Sequence, residues 1–304
     1  MLFGCLESLH AEMADSALRW SVTVTCNAPG SGLAARVRSH YPLARVVENT
    51  KSRGFAANHN SVLAVSRARY VWLLNDDLLI LPGAVHKLVA FMDRRENSRV
   101  AAASPKLLNP DGSLQPSTYG FPSMPQILLG HSGLRDLRLT DALLRRMAPV
   151  IRSREGSSRY WAHDKTVEVD TLRGACVAMR MQAVKQVGPM VEVAIVGGEE
   201  TEWHRRLHEN GWTVVYFADA SVIHYGSQTV RDGSSNFYHE YLKGALYFFR
   251  TGRPAVTYRL FCVSLVAMFG AKAALGWLRR DAGAVAVARR HARVAWNGLV
   301  GRAA

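Results

Sequence analysis

Cysteine is scarce in this sequence and is nowhere closely paired. The 304 residues contain four cysteines, Cys5, Cys26, Cys176 and Cys262, with no CxxC spacing. This pattern argues against both a zinc site and a disulfide framework, and it fits a reducing cytoplasm. The N-terminus also lacks the charged-then-apolar pattern of a signal peptide. The uncharged apolar stretch from 260 to 271 is shorter than the roughly 20 residues that span a bilayer.

Acidic residues are also in short supply. Lys and Arg number 38 against 24 Asp and Glu, which gives a formal net charge of +14 and a pI near 10.0. Such an excess favours polyanionic partners, namely nucleic acid, anionic lipid headgroups or phosphorylated substrates. The arginines are spread along the chain and no nucleic-acid recognition motif is present, so we expect no nucleic-acid partner. The hydrophobic content of 48% and the chain length suit one sizeable α/β domain with an appendage.

Helical and strand patterns alternate along the first two thirds of the chain. This alternation predicts βα units around a largely parallel sheet, in a domain covering residues 1–235. Residues from Gln115 to about Lys165 show little periodicity apart from one short helix expected near Ala142 to Met147. From residue 236 to 304 the pattern becomes helical, interrupted at Gly252-Arg253-Pro254, which predicts a separate helical region.

A short apolar strand runs directly into a cluster of polar residues at Asn75, Asp76 and Asp77. Open α/β sheets bind their ligands at the carboxyl ends of their strands. Carboxylate oxygens suit Mg²⁺ or Mn²⁺, ions that usually serve substrates bearing phosphate. The alternative is a plain turn before the helix signal at Pro82. Both interpretations stay open on these residues alone.

Two later segments also carry candidate functional residues. Gly198 precedes Glu199, Glu200 and Glu202 at a predicted helix start, where acids can serve chemistry or only stabilise the helix dipole. His224 ends a predicted strand, and a lone histidine of this kind is more often structural than a metal ligand.

The basic C-terminal region has an amphipathic helix. Val285, Ala288, Ala292, Trp296 and Leu299 share one face, which Arg289, Arg290 and Arg293 border. This arrangement favours a helix lying on an anionic membrane surface. A helical cap packed on the domain, or a dimer interface, would produce a similar pattern, and apolar residues on the opposite face favour that alternative.

Six segments in order give the chain a family resemblance. They are Arg53 to Asn60, Leu73 to Asp77, Pro105 to Ser113, Val169 to Ala175, Glu199 to Arg206, and Gly211 to His224. Together they resemble inverting glycosyltransferases of the GT-A fold, in particular family-two enzymes of the rhamnosyltransferase-like kind. The resemblance implies an α/β fold with a mostly parallel central sheet and a C-terminal helical extension. It also implies a nucleotide-diphosphate sugar as donor, with Mn²⁺ or Mg²⁺ as cofactor.

The resemblance also assigns expected roles to individual residues. Asp77 and His224 would hold the metal ion, and Glu200 would be the base that deprotonates the acceptor, supported by Glu199 and Glu202. Trp203 and Arg206 would contact the acceptor. The expected donor-binding residues are Cys26, Asn27, Arg53, Gly54, Asn60, Asn75, Asp76 and Gly174.

Three departures from the family pattern define an alternative. The chain starts at the helix that normally follows the first strand, so we expect either a start further upstream or a sheet that lacks one edge. Glu200 replaces an Asp, and Cys26 replaces an Asp that contacts the nucleotide in relatives. The alternative is a catalytically inactive homologue that acts as a membrane-binding or partner-binding subunit.

The predicted activity is transfer of a sugar, with rhamnosyl as a candidate, to an envelope glycan or a polyprenyl-linked acceptor. The basic tail adds an anionic membrane surface to the expected partners. We therefore expect a cytoplasmic protein that is peripheral on the inner face of the cell membrane.

Overall fold

The fold is described by a computed structural model over residues 1–132, 162–193, 198–226 and 234–301. Its helices are α1 (Leu2–Met13), α2 (Leu33–His40), α3 (Phe55–Leu63), α4 (Ala84–Asp93), α5 (Met124–Ser132), α6 (Met181–Val187), α7 (Glu199–Glu209), α8 (Ser234–Gly252), α9 (Ala255–Leu278) and α10 (Ala282–Leu299). The helix expected near Ala142 lies outside the described residues.

Eleven strands alternate with these helices in the described part of the chain. They are β1 (Thr23–Cys26), β2 (Arg45–Glu48), β3 (Tyr70–Leu74), β4 (Leu78–Ile80), β5 (Val100–Leu108), β6 (Leu114–Gln115), β7 (Thr118–Tyr119), β8 (Val167–Glu168), β9 (Thr171–Leu172), β10 (Cys176–Arg180) and β11 (Thr213–His224). The alternation confirms the predicted α/β class. Sequence analysis did not identify β4, because three residues are too few to show a strand period.

The central sheet has seven strands, five of them in the order β3-β10-β5-β11-β4. β10 runs antiparallel to both β3 and β5, whereas β5 and β11 are parallel. Strands β3, β5 and β11 therefore point the same way, with β10 inserted against them. The prediction of a mostly parallel sheet is thus corrected to a mixed sheet. β1 and β2 form a separate two-stranded parallel sheet.

Helices cover both faces of the central sheet, and the side chains of β10 pack against the helices on both sides. Cys176 and Ala178 pack into a core with α1 and α4. Val177 and Met179 point to the opposite face, into a core with α3, α6 and α7. This division follows from the two-residue period of a strand, which sends neighbouring side chains to opposite faces. The result is a three-layer arrangement in which polar residues collect beyond the strand ends.

The last three helices have a hydrophobic core of their own. Phe249 of α8, Phe261 and Leu265 of α9, and Ala295 of α10 are buried together, and Ile127 of α5 joins them. The predicted break is present, since α8 ends at Gly252 and α9 begins at Ala255. Asp281 accepts a hydrogen bond from the backbone N–H of Ala284, which caps the start of α10.

The helical region meets the α/β core at the start of α7. Gly198 has a φ of 93°, and a Cβ on residue 198 would lie 3.1 Å from Cα of Gly244 in α8. Glycine is required there twice over, by the left-handed backbone and by the close approach of α8. This contact brings α8 beside the acidic first turn of α7.

Candidate active site

Asp77 and His224 lie side by side at one edge of the central sheet. β4 pairs antiparallel with β11, with Leu78 opposite His224, so the residue before Leu78 also meets the end of β11. Oδ1 of Asp77 lies 3.2 Å from Nε2 of His224. Both side chains are buried. Strand register therefore joins two candidate ligands from distant parts of the sequence.

Gln115 fixes the orientation of the His224 ring. Its Oε1 lies 2.6 Å from Nδ1 of His224, while its Nε2 donates to Oδ1 of Asn109 at 2.9 Å. The second contact sets the amide orientation, so Oε1 accepts a proton carried by Nδ1. In the neutral imidazole the lone pair of Nε2 then faces Asp77. Oδ1 of Asp77 is buried and accepts no hydrogen bond from the described residues.

This pair of donors fits a divalent cation that is shared with a ligand. A carboxylate oxygen and an imidazole nitrogen that lie close together suit Mn²⁺ or Mg²⁺. No group of three or more His, Cys, Asp or Glu side chains that could hold a metal occurs in the described ranges. Mg²⁺ is usually held by one or two protein carboxylates together with substrate phosphates, so two protein donors are enough when a phosphate ligand is present.

Glu200 occupies a partly enclosed position in the first turn of α7. Its Oε2 is buried and has no hydrogen-bond partner in the described part of the chain. A Cβ on residue 174 would lie 3.1 Å from Cζ of Phe55 and 3.7 Å from Oε1 of Glu200. Burial raises the pKa of Glu200, although the charge of Arg173 opposes the rise. A carboxylate in this setting is suited to accept a proton.

Short links connect the Glu200 side of the site with the Asp77 side. The backbone N–H of Asn75 donates to the carbonyl of Ala175, the residue after Gly174, at 2.9 Å. Nδ2 of Asn75 lies 3.5 Å from Nε2 of His224. Burial by itself raises the pKa of Asp77, but a protonated His224 beside it and the charge of Arg173 lower the pKa by more, so the net shift is downward. The metal candidates and the candidate base therefore share one sheet edge.

Sequence analysis missed two residues of this site as functional candidates. Arg173 belongs to the motif from Val169 to Ala175, and its charge favours ionisation of both Asp77 and Glu200. Gln115 begins the segment that shows little periodicity. The positive charge of Arg173, which lies in sequence between the predicted acidic sites at Asp77 and Glu200, could have indicated its role. No local pattern indicates a role for Gln115.

The predicted donor-binding residues near β1 form a polar network. Oδ1 of Asn27 accepts from the backbone N–H of Arg53 and from Nδ2 of Asn49, both at 2.8 Å. Nδ2 of Asn49 also donates to Asn58. These bonds hold the loop that leads to Gly54, the residue that precedes α3. Asn27 thus orients Arg53, and the network lies beyond the end of β1.

The remaining donor candidates occupy three different environments. Cys26 is 1% exposed and its thiol lies in a hydrophobic cluster, so the side chain is shielded from a ligand. Asn60 is engaged with the backbone of Met190 through both its amide oxygen and its amide nitrogen. Asp76 is exposed beside Asp77. Among these three, only Asp76 has a side chain open to solvent next to the Asp77–His224 pair.

Comparisons with known proteins identify the family. The model of the family described as "Glycosyltransferase like family 2" matches residues 5–238. The chain belongs to this family. Two curated sequences named N-acetylglucosaminyl-diphospho-decaprenol L-rhamnosyltransferase, from two strains of Mycobacterium tuberculosis, are each 26% identical over 232 residues, covering 71% of this chain and 70% of theirs.

A solved structure has the same fold. It is the mannosyltransferase PcManGT from Pyrobaculum calidifontis in complex with GDP-Man and Mn²⁺, with a TM-score of 0.53 and 14% identity, covering 98% of this chain and 84% of that one. The predicted GT-A fold and the rhamnosyltransferase-like resemblance are confirmed. The chain is a family-two glycosyltransferase enzyme.

Within the glycosyltransferase, Glu202 and Arg206 are engaged with neighbouring groups. Nε of Arg206 donates to both carboxylate oxygens of Glu202 at 3.0 Å, and Arg205 also contacts that carboxylate at 3.2 Å. The Arg206 guanidinium further donates to the backbone carbonyls of Val187 and Pro189. Arg206 therefore holds the carboxylate of Glu202 in place. The guanidinium of Arg206 is thus hydrogen-bonded to the end of α6 and the segment after it. This engagement does not favour contact between Arg206 and the acceptor.

Trp203 and Glu199 are both deeply buried. Trp203 is 1% exposed, packs in the core beneath α7, and donates from Nε1 to the carbonyl of Gly188 at 2.9 Å. This placement corrects the expectation that Trp203 contacts the acceptor, because its ring is enclosed by protein. Glu199 is 1% exposed. Of the three predicted catalytic acids, Glu200 alone is half-buried rather than buried.

Proposed function

We propose that this glycosyltransferase moves a deoxyhexosyl unit, with rhamnosyl as the first candidate, from a nucleotide-diphosphate sugar to a lipid-linked envelope glycan. The names of the curated relatives support the sugar and the class of acceptor. The gathering of Asp77, His224 and Glu200 at one sheet edge supports the chemistry. Transfer proceeds by a single displacement that inverts the anomeric carbon.

Asp77 and His224 would hold Mn²⁺ or Mg²⁺ in this reaction. When bound, such an ion neutralises negative charge on the departing diphosphate. The protein's own contribution is orientation, because Gln115 fixes the imidazole so that Nε2 faces Asp77. Arg173 adds a permanent positive charge that favours ionised carboxylates at this edge. Asn75 and Asp76 would contact the donor beside the ion.

Glu200 would take the proton of the attacking acceptor hydroxyl. Its buried and unpartnered Oε2 is the observation that carries this assignment. Because burial raises the pKa of Glu200, the carboxylate is a stronger base than an ordinary exposed glutamate. The other carboxylate oxygen, Oε1, lies beside Gly174, where a Cβ would be 3.7 Å from it.

A membrane location is proposed from the exposed face of α9. Its buried face packs in the helical core, while Val256, Leu260, Val263 and Leu278 remain at least half exposed at helical spacing. α9 is also the helix, among the described residues, that is long and apolar enough to cross a membrane by length and composition. We place the enzyme at the cytoplasmic face of the membrane, with this stripe against the lipid.

The donor site is tested by calorimetric titration of nucleoside diphosphates with and without Mn²⁺. The wild-type protein should bind in a metal-dependent manner, and Asp77→Asn should abolish the dependence. Asp219→Asn, which removes an exposed acid from β11, is the matched control and should bind like wild type. Metal-independent binding, or normal binding by Asp77→Asn, would contradict the metal assignment.

Transfer itself is tested with nucleotide-activated rhamnose and a polyprenyl-diphosphate-linked amino sugar as acceptor. Turnover by wild type and its loss in Glu200→Gln would support the proposal. Donor binding by wild type without transfer to any glycan acceptor would instead support the non-catalytic alternative.

A further inference from the structure

An open cleft of about 480 Å³ lies between α8 and α10, and none of its lining residues belongs to the site described above. Its polar lining consists of His239, Lys243, Arg289, Arg290, Arg293 and Asn297. Four of these six side chains are cations, and no carboxylate lines the cleft. Neither the family match nor the curated relatives assign a role to it.

Helical spacing places the cations together. Arg289, Arg293 and Asn297 follow one another at intervals of four on α10, and His239 and Lys243 do the same on the facing α8. Like charges at this spacing destabilise a helix slightly. Lys243 is paired with Glu240 at 3.1 Å, but no described carboxylate forms an ion pair with Arg289 or Arg293. The cleft therefore has an excess of positive charge, and the described part of the chain supplies no counter-charge to these two arginines.

His239 provides a second and independent indication of a ligand. It is 6% exposed and its ring stacks on His291 with centroids 5.6 Å apart. Its Nδ1 has no hydrogen-bond partner among the described residues. A buried polar atom without a partner is costly, and an anion in the cleft would supply the missing acceptor.

Apolar side chains continue from the rim of the cleft along α10. Trp296 and Val300 lie three and seven residues beyond Arg293 and are 51% and 45% exposed. They share the helix face that carries the arginines. A ligand with an anionic head and an apolar tail would match both parts of this surface.

We propose that the α8–α10 cleft binds the phosphate or diphosphate head of a membrane lipid, a role that rests on the proposed lipid-linked acceptor. Arg289 and Arg293 neutralise the head, His239 donates to it, and Trp296 contacts the start of the chain. The cleft thereby holds a lipid phosphate beside α8, the helix that contacts the start of α7 through Gly244.

The test measures co-flotation of the full-length protein with phosphatidylcholine vesicles. One set of vesicles carries a polyprenyl diphosphate, a second carries phosphatidylglycerol at equal charge, and a third carries neither. The double variant Arg289→Gln/Arg293→Gln should bind the polyprenyl diphosphate vesicles at least about tenfold more weakly than wild type. Arg259→Gln/Arg279→Gln removes two exposed cations from α9 and its end, and should lose much less.

The two anionic vesicles identify the source of the phosphate. Preference for polyprenyl diphosphate supports a carrier lipid, and equal binding to both, lost in the cleft variant, supports a general lipid phosphate site. Full competition by inorganic pyrophosphate without any contribution from the lipid tail would overturn the lipid part of the proposal. Equal loss in both double variants would overturn the cleft as a discrete site.

Nucleotide binding separates failure of this proposal from failure of the proposed function. The cleft variant should keep metal-dependent binding of nucleoside diphosphates, which also shows that it is folded. If Arg289→Gln/Arg293→Gln binds both lipid and nucleotide normally, the proposed lipid site in the cleft is refuted, but the proposed function is not. Absence of nucleotide binding in wild type refutes the proposed function, while the lipid measurement still decides the cleft.

Discussion

Gln115→Leu tests whether a side chain outside the metal pair controls metal affinity. Leucine removes the oxygen that accepts from Nδ1 of His224 at 2.6 Å. The imidazole then loses its fixed tautomer and ring orientation, so Nε2 no longer faces Asp77 reliably. The substitution also removes the amide nitrogen that donates to Asn109 at 2.9 Å. Two effects are therefore expected, one on metal binding and one on stability.

The expected magnitudes differ for the two effects. Removing the hydrogen-bond partner of a metal-ligating histidine usually costs 10–100-fold in affinity, which corresponds to about 1.4–2.7 kcal/mol. Loss of the bond to Asn109 should reduce the free energy of unfolding by about 1 kcal/mol. Asn109→Ala removes that second bond, but Nε2 of Gln115 keeps its bond to the carbonyl of His224 at 3.3 Å, which preserves the amide orientation. This variant should therefore reduce stability with little change in metal affinity.

The assay is a titration of Mn²⁺ into protein saturated with a nucleoside diphosphate, beside a denaturant curve for each variant. Gln115→Glu keeps an oxygen acceptor for Nδ1 and should recover most of the affinity lost in Gln115→Leu. Wild-type affinity in Gln115→Leu, or an equal loss of affinity in Asn109→Ala, would refute the orienting role of Gln115.

Three further predictions concern α7 and the helices around it. Glu200→Gln should lower kcat by about 10²–10⁴ with donor binding unchanged. Burial raises the pKa of Glu200, so acidification should protonate it, and lower the wild-type rate, at a higher pH than would be needed for an exposed carboxylate. A wild-type rate in Glu200→Gln would exclude Glu200 as the base. Leu207→Ala, at 0% exposure, should lower the free energy of unfolding by about 2–5 kcal/mol in a denaturant titration, and a loss below about 1 kcal/mol would contradict its core position. Gly198→Ala should lower the free energy of unfolding by about 1–3 kcal/mol, because φ is 93° at this residue and α8 is close. Gly130→Ala in α5, with open space around it, should not lower the free energy of unfolding. Equal melting temperatures for the two variants would contradict the strain at residue 198.

Several parts of the site could be predicted locally because their signals lie within a few residues. The apolar run of β3 followed by three polar residues placed Asp77 at a strand end, and the structure has β3 ending at Leu74. Gly198 before three acids predicted a helix start, and α7 begins at Glu199. The Gly252-Arg253-Pro254 break was visible because glycine and proline interrupt a helical period.

Other expectations failed where a local pattern cannot report what surrounds a side chain. Trp203 has the composition of a ligand-binding residue but is enclosed in the core, since the face of α7 that turns inward depends on what packs against it. Contact of Arg206 with the acceptor stays a prediction, and the structure adds that Glu202 and two backbone carbonyls accept hydrogen bonds from its guanidinium. A mostly parallel sheet was expected because strands alternate with helices, and pattern alone does not reveal that β10 inserts in the opposite direction.

Local propensity and hydrophobic period set where strands and helices begin and which residues stand at their ends, because both act over a few residues. Tertiary structure decided which ends meet. Asn75 and His224 are 149 residues apart, and Gln115 and His224 are 109 apart. Their proximity follows from strand order and from the antiparallel register of β4 on β11. That register is fixed by burial of side chains across the whole sheet, so no local segment of the chain contains it.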